Sequence, residues 1–428
     1  MDHFTYEHGA LRCEGVAVAD IAATVGTPCY VYSAGTLAEH LRRTREAFAA
    51  LDPLICYSVK SCGNLGVLRT LTALGSGMDV VSGGELFRAR AAGCPPERIV
   101  YAGVGKRDDE IAAALDAGIH LLNVESEQEF ENIARVARGR GVTCRCALRI
   151  NPDVDPRTHR FTTTGTKETK FGVDIERARA FFRAYGRDPH ARLVGLHLHI
   201  GSPVTSTDPY VQAVTKALAL REELLREGFD VSVLDVGGGF AADYETGRSP
   251  AASDYARAIV PLLEPAVRAG LRIVLEPGRS IAANAGILLT RVQYVKTSGD
   301  KTFAICDAGM NALLRPSHYD AFHFIWPAAP GPGFVPRERT REPGMPGLVP
   351  VDVVGPLCET GDYLALDRRL PPPARGDLLA VFTAGAYGMS MASRYNSSPL
   401  PAEVLVAGDA FTVVRRRETY EDLVAHER

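Results

Sequence analysis

The stretch Leu54-Ile-Cys-Tyr-Ser-Val-Lys60, a short apolar run closed by a lysine, opens the pattern that sets the fold of this chain. Similar runs recur up to residue 276, and amphipathic segments with apolar positions at helical spacing, such as Leu65–Leu74 and Asp208–Glu227, lie between them. The runs predict eight strands, at Leu54–Lys60, Gly77–Val81, Arg98–Tyr101, His120–Val124, Thr143–Ile150, Arg192–His199, Val231–Val236 and Arg272–Leu275.

Eight strand–helix repeats over roughly 250 residues are typical of a (β/α)8 barrel of the TIM type. The same alternation also fits a doubly wound open sheet, which is the competing architecture. A further helix is predicted at Thr36–Ala50, before the first strand, because its apolar residues share one face.

The character of the sequence changes after Arg279, where strand patterns separated by turn signals predict a mostly β domain. The segment Pro28-Cys-Tyr-Val-Tyr32 predicts one more strand, which would join that domain, and Pro327–Pro350 predicts a surface excursion rich in Pro and Gly. We therefore expect an N-terminal segment at 1–35 that packs with the β domain, a barrel at 36–285 and the β domain at 286–428. The β strands are predicted at Gly286–Thr297, Thr302–Cys306, Val349–Val354, Asp377–Thr383, Ala402–Val406 and Ala410–Arg415.

Composition argues against several classes of partner. The formal net charge is −3, and no long basic run is present, so neither nucleic acid nor an anionic membrane is a predicted partner. No long apolar stretch predicts a transmembrane helix, and the first residues do not resemble a secretory signal. The nine cysteines include no CxxC pair, which favours a reducing cytoplasm, and Cys144 and Cys146 are expected to be core residues.

Polar residues and glycines cluster where the predicted barrel strands end, which is the end that carries the active site in such barrels. Residues more than 200 positions apart in the sequence would thus meet on one rim of the barrel. Unrelated surface loops would have no reason to place polar residues and glycines in this way. The residues concerned are Lys60, Asp79, Ser82, Asn151, His199, Gly237-Gly-Gly239 and Glu276-Pro-Gly-Arg279.

Lys60 and Glu276 are the most informative of these residues. A lysine at the end of a buried strand is costly unless it is paired or used chemically, and partial burial lowers its pKa and so suits imine formation. A snorkelling lysine is the alternative. A carboxylate at the barrel mouth can keep a pyridine nitrogen protonated and make the ring an electron sink. A salt bridge from Glu276 to Arg279 is the alternative there.

The glycines and histidines give weaker signals. Gly237-Gly-Gly239 would let backbone N–H groups approach an anion, in a loop where such barrels often bind phosphate, or would be only a flexible turn. His199 is placed to stack on an aromatic ring, and His197 to fill the barrel interior. We predict no metal site at these histidines, because no third ligand lies at a telling spacing.

In the predicted β domain, Gly355-Pro-Leu-Cys-Glu359 joins a strand to a polar turn, and Gly385-Ala-Tyr387 offers a phenol. Cys358 is either an exposed, reactive thiol or a small buried hydrophobe, and the sequence leaves both open.

Seven motifs in one order, over about residues 25 to 420, resemble the diaminopimelate decarboxylases, a family of the alanine-racemase-like, fold type III class of pyridoxal-phosphate (PLP) enzymes. The resemblance implies PLP-dependent decarboxylation of meso-2,6-diaminopimelate to L-lysine and CO2, the last step of lysine biosynthesis. The motifs are Tyr57-Ser-Val-Lys60, His199-Ile-Gly-Ser202, Gly237-Gly-Gly239, Glu276-Pro-Gly-Arg279, Arg315-Pro-Ser-His-Tyr319, Cys358-Glu359 and Gly385-Ala-Tyr387.

The resemblance also implies roles for individual residues. Lys60 would carry PLP as a Schiff base, and Cys358 would be the proton donor, delivered with Glu359 from the second subunit of a homodimer. The implied cofactor-binding residues are Lys60, Asp79, His199, Ser202, Gly237, Gly238, Gly239, Glu276, Pro277, Gly278, Arg279 and Tyr387. The implied substrate-binding residues are Arg279, Arg315, Tyr319, Glu359 and Tyr387.

The sequence departs from the family at two places. Ser58, Ser61 and Cys62 replace residues of a usual Tyr-Ala-x-Lys-Ala-Asn motif, for which we expect altered packing and retained chemistry. Asn396-Ser-Ser-Pro399 replaces Asn-Ser-Arg-Pro and loses an arginine.

Three other functions are weighed against the resemblance. Ornithine and arginine decarboxylases tend to carry Cys-Asp where this chain has Cys358-Glu359, and alanine racemase pairs the ring nitrogen with arginine rather than a carboxylate. A non-catalytic regulatory homologue would be free to lose Lys60, Glu276 or Cys358, and all three are present.

Overall fold

The computed structural model describes residues 2–155 and 170–427. The chain divides into two compact units, of which one contains His40–Ala241 and Pro250–Ser280. The other contains Met1–Glu39, Ala242–Ser249 and Ile281–Arg428. The three-part division expected from the sequence stays a prediction.

The first unit is a closed barrel of eight parallel strands. Each strand pairs with the next, and β8 pairs with β1, so the open sheet that the sequence also allowed is wrong. A two-residue strand, Val173–Asp174, pairs in parallel with β5. The barrel strands are β1 Leu54–Ser58, β2 Gly77–Val80, β3 Ile99–Tyr101, β4 Leu121–Val124, β5 Cys144–Asn151, β6 Ala191–His197, β7 Val233–Asp235 and β8 Arg272–Leu275.

The barrel strands are nearly continuous apolar runs because both faces are buried, one against the barrel interior and one against helices. One buried cluster of barrel-strand residues consists of small and branched side chains, namely Cys56, Val100, Leu121, Ala147, Val194, Val233 and Val274. The longer helices that accompany the barrel are Ala34–Ala47, Leu65–Ala73, Gly83–Ala91, Asp108–Ala117, Glu127–Arg140, Ile175–Tyr185, Asp208–Arg226 and Ala252–Arg268. A four-residue helix, Arg279–Ala282, follows β8, and 3₁₀ turns lie at Ala49–Leu51, Val59–Ser61 and Pro96–Arg98.

Two strand ends differ from the prediction at residues that matter for the site. Strand β1 ends at Ser58, and Lys60 lies in the 3₁₀ turn Val59–Ser61, where the Ser61 hydroxyl donates to the Ser58 carbonyl (2.8 Å). Strand β6 ends at His197, whose partner Asp235 is the last residue of β7, so that His199 follows the strand.

The second unit is built on a long sheet that contains strands from both ends of the chain. Cys29–Ser33 pairs antiparallel with Gly286–Ser298 and parallel with Ala402–Ala407, which confirms that this N-terminal segment is a strand of the β sheet. The sheet order is Tyr363–Leu370, Val349–Val354, Lys301–Cys306, Gly286–Ser298, Cys29–Ser33, Ala402–Ala407 and Ala410–Arg415.

The strands Leu378–Val381 and Ile325–Pro327 pair beside Gly286–Ser298, and a separate small sheet contains Phe4–Glu7, Ala10–Cys13 and Val16–Ala17. Tyr363–Leu370 was not predicted, because its three charged residues interrupt the apolar pattern. The helices of this unit are Val18–Val25, Arg315–Tyr319 and Tyr420–Val424, with 3₁₀ turns at Met389–Met391 and Tyr395–Ser397. Among residues 2–155 and 170–427, no helix combines the length and apolar character needed to span a bilayer.

Candidate active site

A layer of polar side chains lies inside the barrel at the carboxyl ends of its strands. Asn123, on β4, donates from Nδ2 to Asp235 Oδ2 on β7 (3.1 Å) and to Glu276 Oε1 just after β8 (3.2 Å). Strand β4 is not a neighbour of β7 or β8 in the sheet, so these bonds cross the barrel interior. Charged side chains, which are costly to bury alone, are therefore gathered here in contact with partners.

Lys60 is held at this layer by a buried carboxylate. Its Nζ lies 2.7 Å from Asp79 Oδ2, and its side chain keeps 33% of its exposure whereas that of Asp79 has none. The Ser58 hydroxyl also contacts Asp79 Oδ2, at 2.6 Å. The amine is thus oriented by a fixed anion while the side chain stays partly exposed, which suits a lysine that is used in chemistry.

Glu276 is a buried carboxyl group with a strongly perturbed proton affinity. Burial, together with the nearby Asp79 carboxylate, raises its pKa to about 8, although Lys60 acts in the opposite direction. Its Oε2 lies 3.4 Å from His197 Nε2. Burial lowers the pKa of His197 to about 4, so that this imidazole is neutral and does not compensate the carboxylate.

The structure changes the argument about a metal at this layer. The sequence offered no third ligand beside the two histidines, but ligand atoms of His197, Asp235 and Glu276 lie within 4.8 Å of one another. One of these carboxylates lies on β7 and the other just after β8, at no sequence spacing that relates them to the histidines. The absence of a metal stays a prediction.

The three glycines after β7 are required by close backbone packing. A Cβ atom would lie 2.1 Å from the Leu198 carbonyl oxygen at Gly237, 2.2 Å from that of Glu276 at Gly238 and 2.3 Å from that of Gly201 at Gly239. Gly237 and Gly239 also have positive φ, 74° and 98°, where glycine is favoured. The loop is therefore a rigid, close-packed element and not merely a flexible turn.

The same loops carry backbone donors suited to an anion. Gly239 and Gly278 are both buried, and within the described residues the N–H of neither donates to a protein acceptor. Beside them, Arg279 Nε donates to Ser202 Oγ at 3.1 Å. Pro277 fixes this loop, because its carbonyl accepts from Ser58 N–H (3.1 Å). Buried donors next to a cation fit a phosphate group.

His199 follows β6 and contacts the glycine loop. Gly238 N–H donates to His199 Nδ1 at 3.4 Å, so Nδ1 is the unprotonated nitrogen of this ring. Burial and the nearby Arg149 and Lys60 cations lower the pKa of His199 well below its ordinary value. A neutral, half-buried imidazole results, which suits stacking on an aromatic ring.

Several residues of this layer were not among the predicted site residues. Arg149 pairs with Glu125 at 3.0 Å, both being buried, and stacks on Phe171 at 4.7 Å from the ring centre. Asn123 and Asp235 form the bonds described above. A signal was present in the sequence, since Asn123, Arg149 and Asp235 each interrupt an apolar run near the carboxyl end of a predicted strand.

The remaining predicted residues lie in the second unit. Arg315 is buried, contacts His323 Nε2 at 2.8 Å and lies 4.8 Å from the centre of the Tyr244 ring. Tyr319 ends the helix that Arg315 begins, and its ring lies 4.5 Å from that of His318.

Cys358 is exposed, so it is not the small buried hydrophobe that the sequence also allowed, and its reactivity stays a prediction. Its Sγ accepts from Asn396 Nδ2 at 3.5 Å, and the hydroxyl of Tyr395 bonds to the exposed Glu359 carboxylate, which raises the pKa of Tyr395. Tyr387 is half-buried with φ of 56°, a conformation that non-glycine residues rarely adopt outside functional or constrained sites.

Comparison with known families defines the class first. Residues 34–283, which include the whole barrel and its polar layer, match the pyridoxal-binding domain of the pyridoxal-dependent decarboxylases. This match and the sheet-rich second unit identify a fold type III PLP enzyme.

The relatives define the family. The chain is 46% identical over 423 residues to a diaminopimelate decarboxylase of Aquifex aeolicus, a match that covers 99% of this chain and 96% of the relative. It is 45% identical over 427 residues to that of Pseudomonas aeruginosa, with 100% and 99% covered. The Helicobacter pylori diaminopimelate decarboxylase, solved with L-lysine, superposes with a TM-score of 0.89 at 40% identity, over 96% of this chain and 99% of that one. The chain belongs to the diaminopimelate decarboxylase family.

Proposed function

We propose that this chain catalyses the PLP-dependent decarboxylation of meso-2,6-diaminopimelate to L-lysine and CO2. The observation that carries the proposal is the convergence of the Lys60 amine and the buried Glu276 carboxyl in one barrel, within a chain that matches diaminopimelate decarboxylases over its whole length.

The barrel unit fits the cofactor. Lys60 would hold PLP covalently through its aldehyde, and Asp79, 2.7 Å from Nζ, would orient the amine. The buried donors of Gly239 and Gly278, with Arg279 and Ser202 beside them, would hold the phosphate. His199 would stack on the ring, and the other loop residues Gly237, Gly238 and Pro277 would shape the cradle.

When bound, PLP supplies a pyridine ring that accepts the electron pair left by the departing carboxylate. Glu276 would face the ring nitrogen and hold its proton. A carboxylate is suited to this because a positive nitrogen offsets the cost of ionising Glu276 in a buried position. The neutral His197 beside it does not compete for that charge.

The second unit would supply the substrate contacts and the proton. Arg315, Tyr319, Glu359 and Tyr387, with Arg279 of the barrel, would bind the distal amino-acid head of diaminopimelate, whose carboxylate matches a guanidinium. Cys358, exposed on its loop, would deliver a proton to the substrate carbon that lost CO2. We further propose that this loop acts on the partner's barrel in a homodimer, and that the enzyme works in the cytoplasm, where its nine free thiols stay reduced.

The relatives favour diaminopimelate over the ornithine or arginine alternative, since diaminopimelate decarboxylases match nearly the whole chain at 42–46% identity. A substrate without the distal carboxylate would lose a charge-assisted hydrogen bond to an arginine such as the buried Arg315, which costs roughly 1–3 kcal/mol or more. The retained Lys60 and Glu276 speak against a non-catalytic homologue.

The test is a decarboxylation panel of diaminopimelate, ornithine, arginine and lysine, with and without added PLP. We expect that diaminopimelate is the one compound of the panel that releases CO2, and that it does so only when PLP is present. Faster turnover of ornithine, arginine or lysine than of diaminopimelate would overturn the substrate.

A second arm tests the cofactor linkage. After borohydride reduction and digestion, the pyridoxyl group should map by mass to Lys60, and Lys60→Ala should lose it. Lys216→Ala, an exposed lysine of the same unit, is the matched control and should keep it. A pyridoxyl group on any other lysine would contradict the proposed role of Lys60.

A further inference from the structure

The charges of the polar layer do not balance if every carboxyl is ionised. Lys60 pairs with Asp79, and Arg149 pairs with Glu125 through two contacts of 3.0 Å. These pairs account for two carboxylates and two cations. Asp235 and Glu276 remain, and the groups in direct contact with them are an amide, a neutral imidazole and a backbone N–H.

Asp235 and Glu276 also lie close together. Carboxyl oxygens of the two lie within 4.8 Å of each other, and one Asn123 amide donates to both. Asp235 has no exposure to solvent and Glu276 has 2%. Two ionised carboxylates cannot share such a site without a large cost, because like charges in a buried, low-dielectric place repel strongly.

We propose, on the basis of the proposed function, that Asp235 is a positioning residue that holds a proton and donates it in a hydrogen bond to Glu276. In the PLP-loaded protein the pair then has a single negative charge, placed on Glu276 towards the ring nitrogen of the cofactor. Asn123 completes the arrangement by donating to both residues, and Gly237 N–H (2.9 Å) fixes the other Asp235 oxygen.

The electrostatics agree with this distribution. Burial, and next the neighbouring Glu276 carboxylate, raise the pKa of Asp235 well above its ordinary value. The titratable and charged groups that surround the pair are Cys56 on β1, Lys60 after β1, Asp79 on β2, Glu125 after β4, Arg149 on β5 and His197 on β6.

The proton can be observed directly in the protein without PLP. Infrared spectra at neutral pH should contain a carbonyl band of a protonated carboxyl group that shifts when the chain carries carboxyl-¹³C aspartate. The band should be absent from Asp235→Asn and present in Asp352→Asn, a buried aspartate of the other unit. No aspartate-sensitive band in the wild type, or a band that persists in Asp235→Asn, would overturn the proposal.

The isotope shift needs no substitution, so a variant that fails to fold does not prevent a decision. It also needs no cofactor, so failure of the proposed function would appear separately, as an absence of PLP binding.

A second measurement uses PLP titrated by its visible absorbance. Asp235→Asn keeps a neutral donor and should bind PLP within about threefold of wild type, with the same pH dependence of the spectrum. Asp235→Ala removes the donor to a charged acceptor and should weaken PLP binding by about tenfold or more. The two variants should therefore differ in PLP binding. If both bind PLP like the wild type, or if both are folded and neither binds PLP, a positioning role that depends on a neutral donor is contradicted.

Discussion

At the scale of single residues, the site depends on carboxyl groups whose surroundings differ. Asp79 is held against a lysine, whereas Glu276 has an amide and a neutral imidazole as neighbours. The difference separates their roles in the proposed chemistry, since one orients an amine and the other stabilises charge on a ring. Each role can be tested by removing one charge or one hydrogen bond.

Glu276→Gln should retain PLP and lose most of its turnover. A neutral amide cannot hold a proton on the ring nitrogen, so we expect kcat to fall by roughly 10²-fold or more. Steady-state kinetics on the PLP-loaded variant measure this. A kcat near that of the wild type with full PLP content would exclude the proposed role.

The same variant makes a prediction about stability without PLP. The pKa of Glu276 is raised from 4.5 to about 8 in the folded protein, so the folded state holds this proton more tightly than the unfolded chain does. The contribution of Glu276 is therefore fully present below about pH 4.5 and is lost as the pH rises to about 8, by at most about 1.4 kcal/mol per pH unit. Urea unfolding should show that, between pH 5 and pH 8, the unfolding free energy of the wild type falls relative to that of Glu276→Gln. An unchanged difference would mean that Glu276 is ionised throughout.

Ser58, one of the departures from the family motif, should contribute to stability more than to catalysis. Its hydroxyl contacts Asp79 Oδ2 at 2.6 Å and the Glu276 carbonyl at 3.0 Å, so Ser58→Ala removes a bond to a charged group. We expect a loss of about 1–3 kcal/mol in unfolding free energy, with PLP binding retained. Ser253→Ala, exposed in the helix Ala252–Arg268, should change stability by less than about 0.5 kcal/mol. Loss of PLP from Ser58→Ala would show that this departure altered the chemistry.

At the scale of elements, the site is formed by loops that meet where parallel strands end. The glycine loop after β7 packs its backbone directly against the residues that follow β6 and β8. No side chain fits between them, so the position of Glu276 depends on glycine at 237–239.

Gly238→Ala should therefore disturb both fold and cofactor site. Its Cβ would lie 2.2 Å from the Glu276 carbonyl oxygen, so we expect about 1–3 kcal/mol of destabilisation and a marked loss of PLP affinity. Gly139→Ala is the matched control, since Gly139 lies in the helix Glu127–Arg140 and a Cβ atom added there would meet no neighbouring atom within 4 Å. This variant should be as stable as the wild type or up to about 1 kcal/mol more stable. Urea unfolding and PLP titration of both variants measure the contrast. Equal stability and affinity in the two would refute the close-packing argument.

At the scale of the whole molecule, the proposed site needs Lys60 from one unit and Cys358 from the other. The proposed homodimer supplies these from different chains, because the Cys358 loop is expected to act on the partner's barrel. Activity should then require dimerisation.

Complementation tests the shared site. Lys60→Ala and Cys358→Ala should each be inactive, but a mixed dimer has one site with both residues intact. With random mixing, half of the dimers contain one chain of each variant, and each of these dimers has one intact site out of two. We therefore expect up to about a quarter of wild-type activity. Absence of recovery, with mixed dimers shown to form, would mean that Cys358 acts within its own chain or not at all.

The sequence alone favoured the barrel over an open sheet, and it indicated the family and most of the residues proposed for the site. Eight apolar runs with helical segments between them leave few ways to bury both faces of each strand, and glycine and charged residues at run ends mark the active rim. Local patterns were enough because strand and helix periodicity, and motifs such as Glu276-Pro-Gly-Arg279, are properties of neighbouring residues.

Only the tertiary structure decided where the strands end and which charges share a space. Lys60 lies beyond β1 because the Ser61 hydroxyl bonds to the Ser58 carbonyl and stops the strand pairing there. His199 lies beyond β6 because the neighbouring strand β7 ends and the pairing stops with it. Asn123, Arg149, Asp235 and Glu276 come from four different strands or strand ends, and no sequence spacing relates them. Their contacts exist because barrel closure brings all strand ends into one small interior, and the burial produced there sets the proton affinities of Asp235, Glu276 and His197.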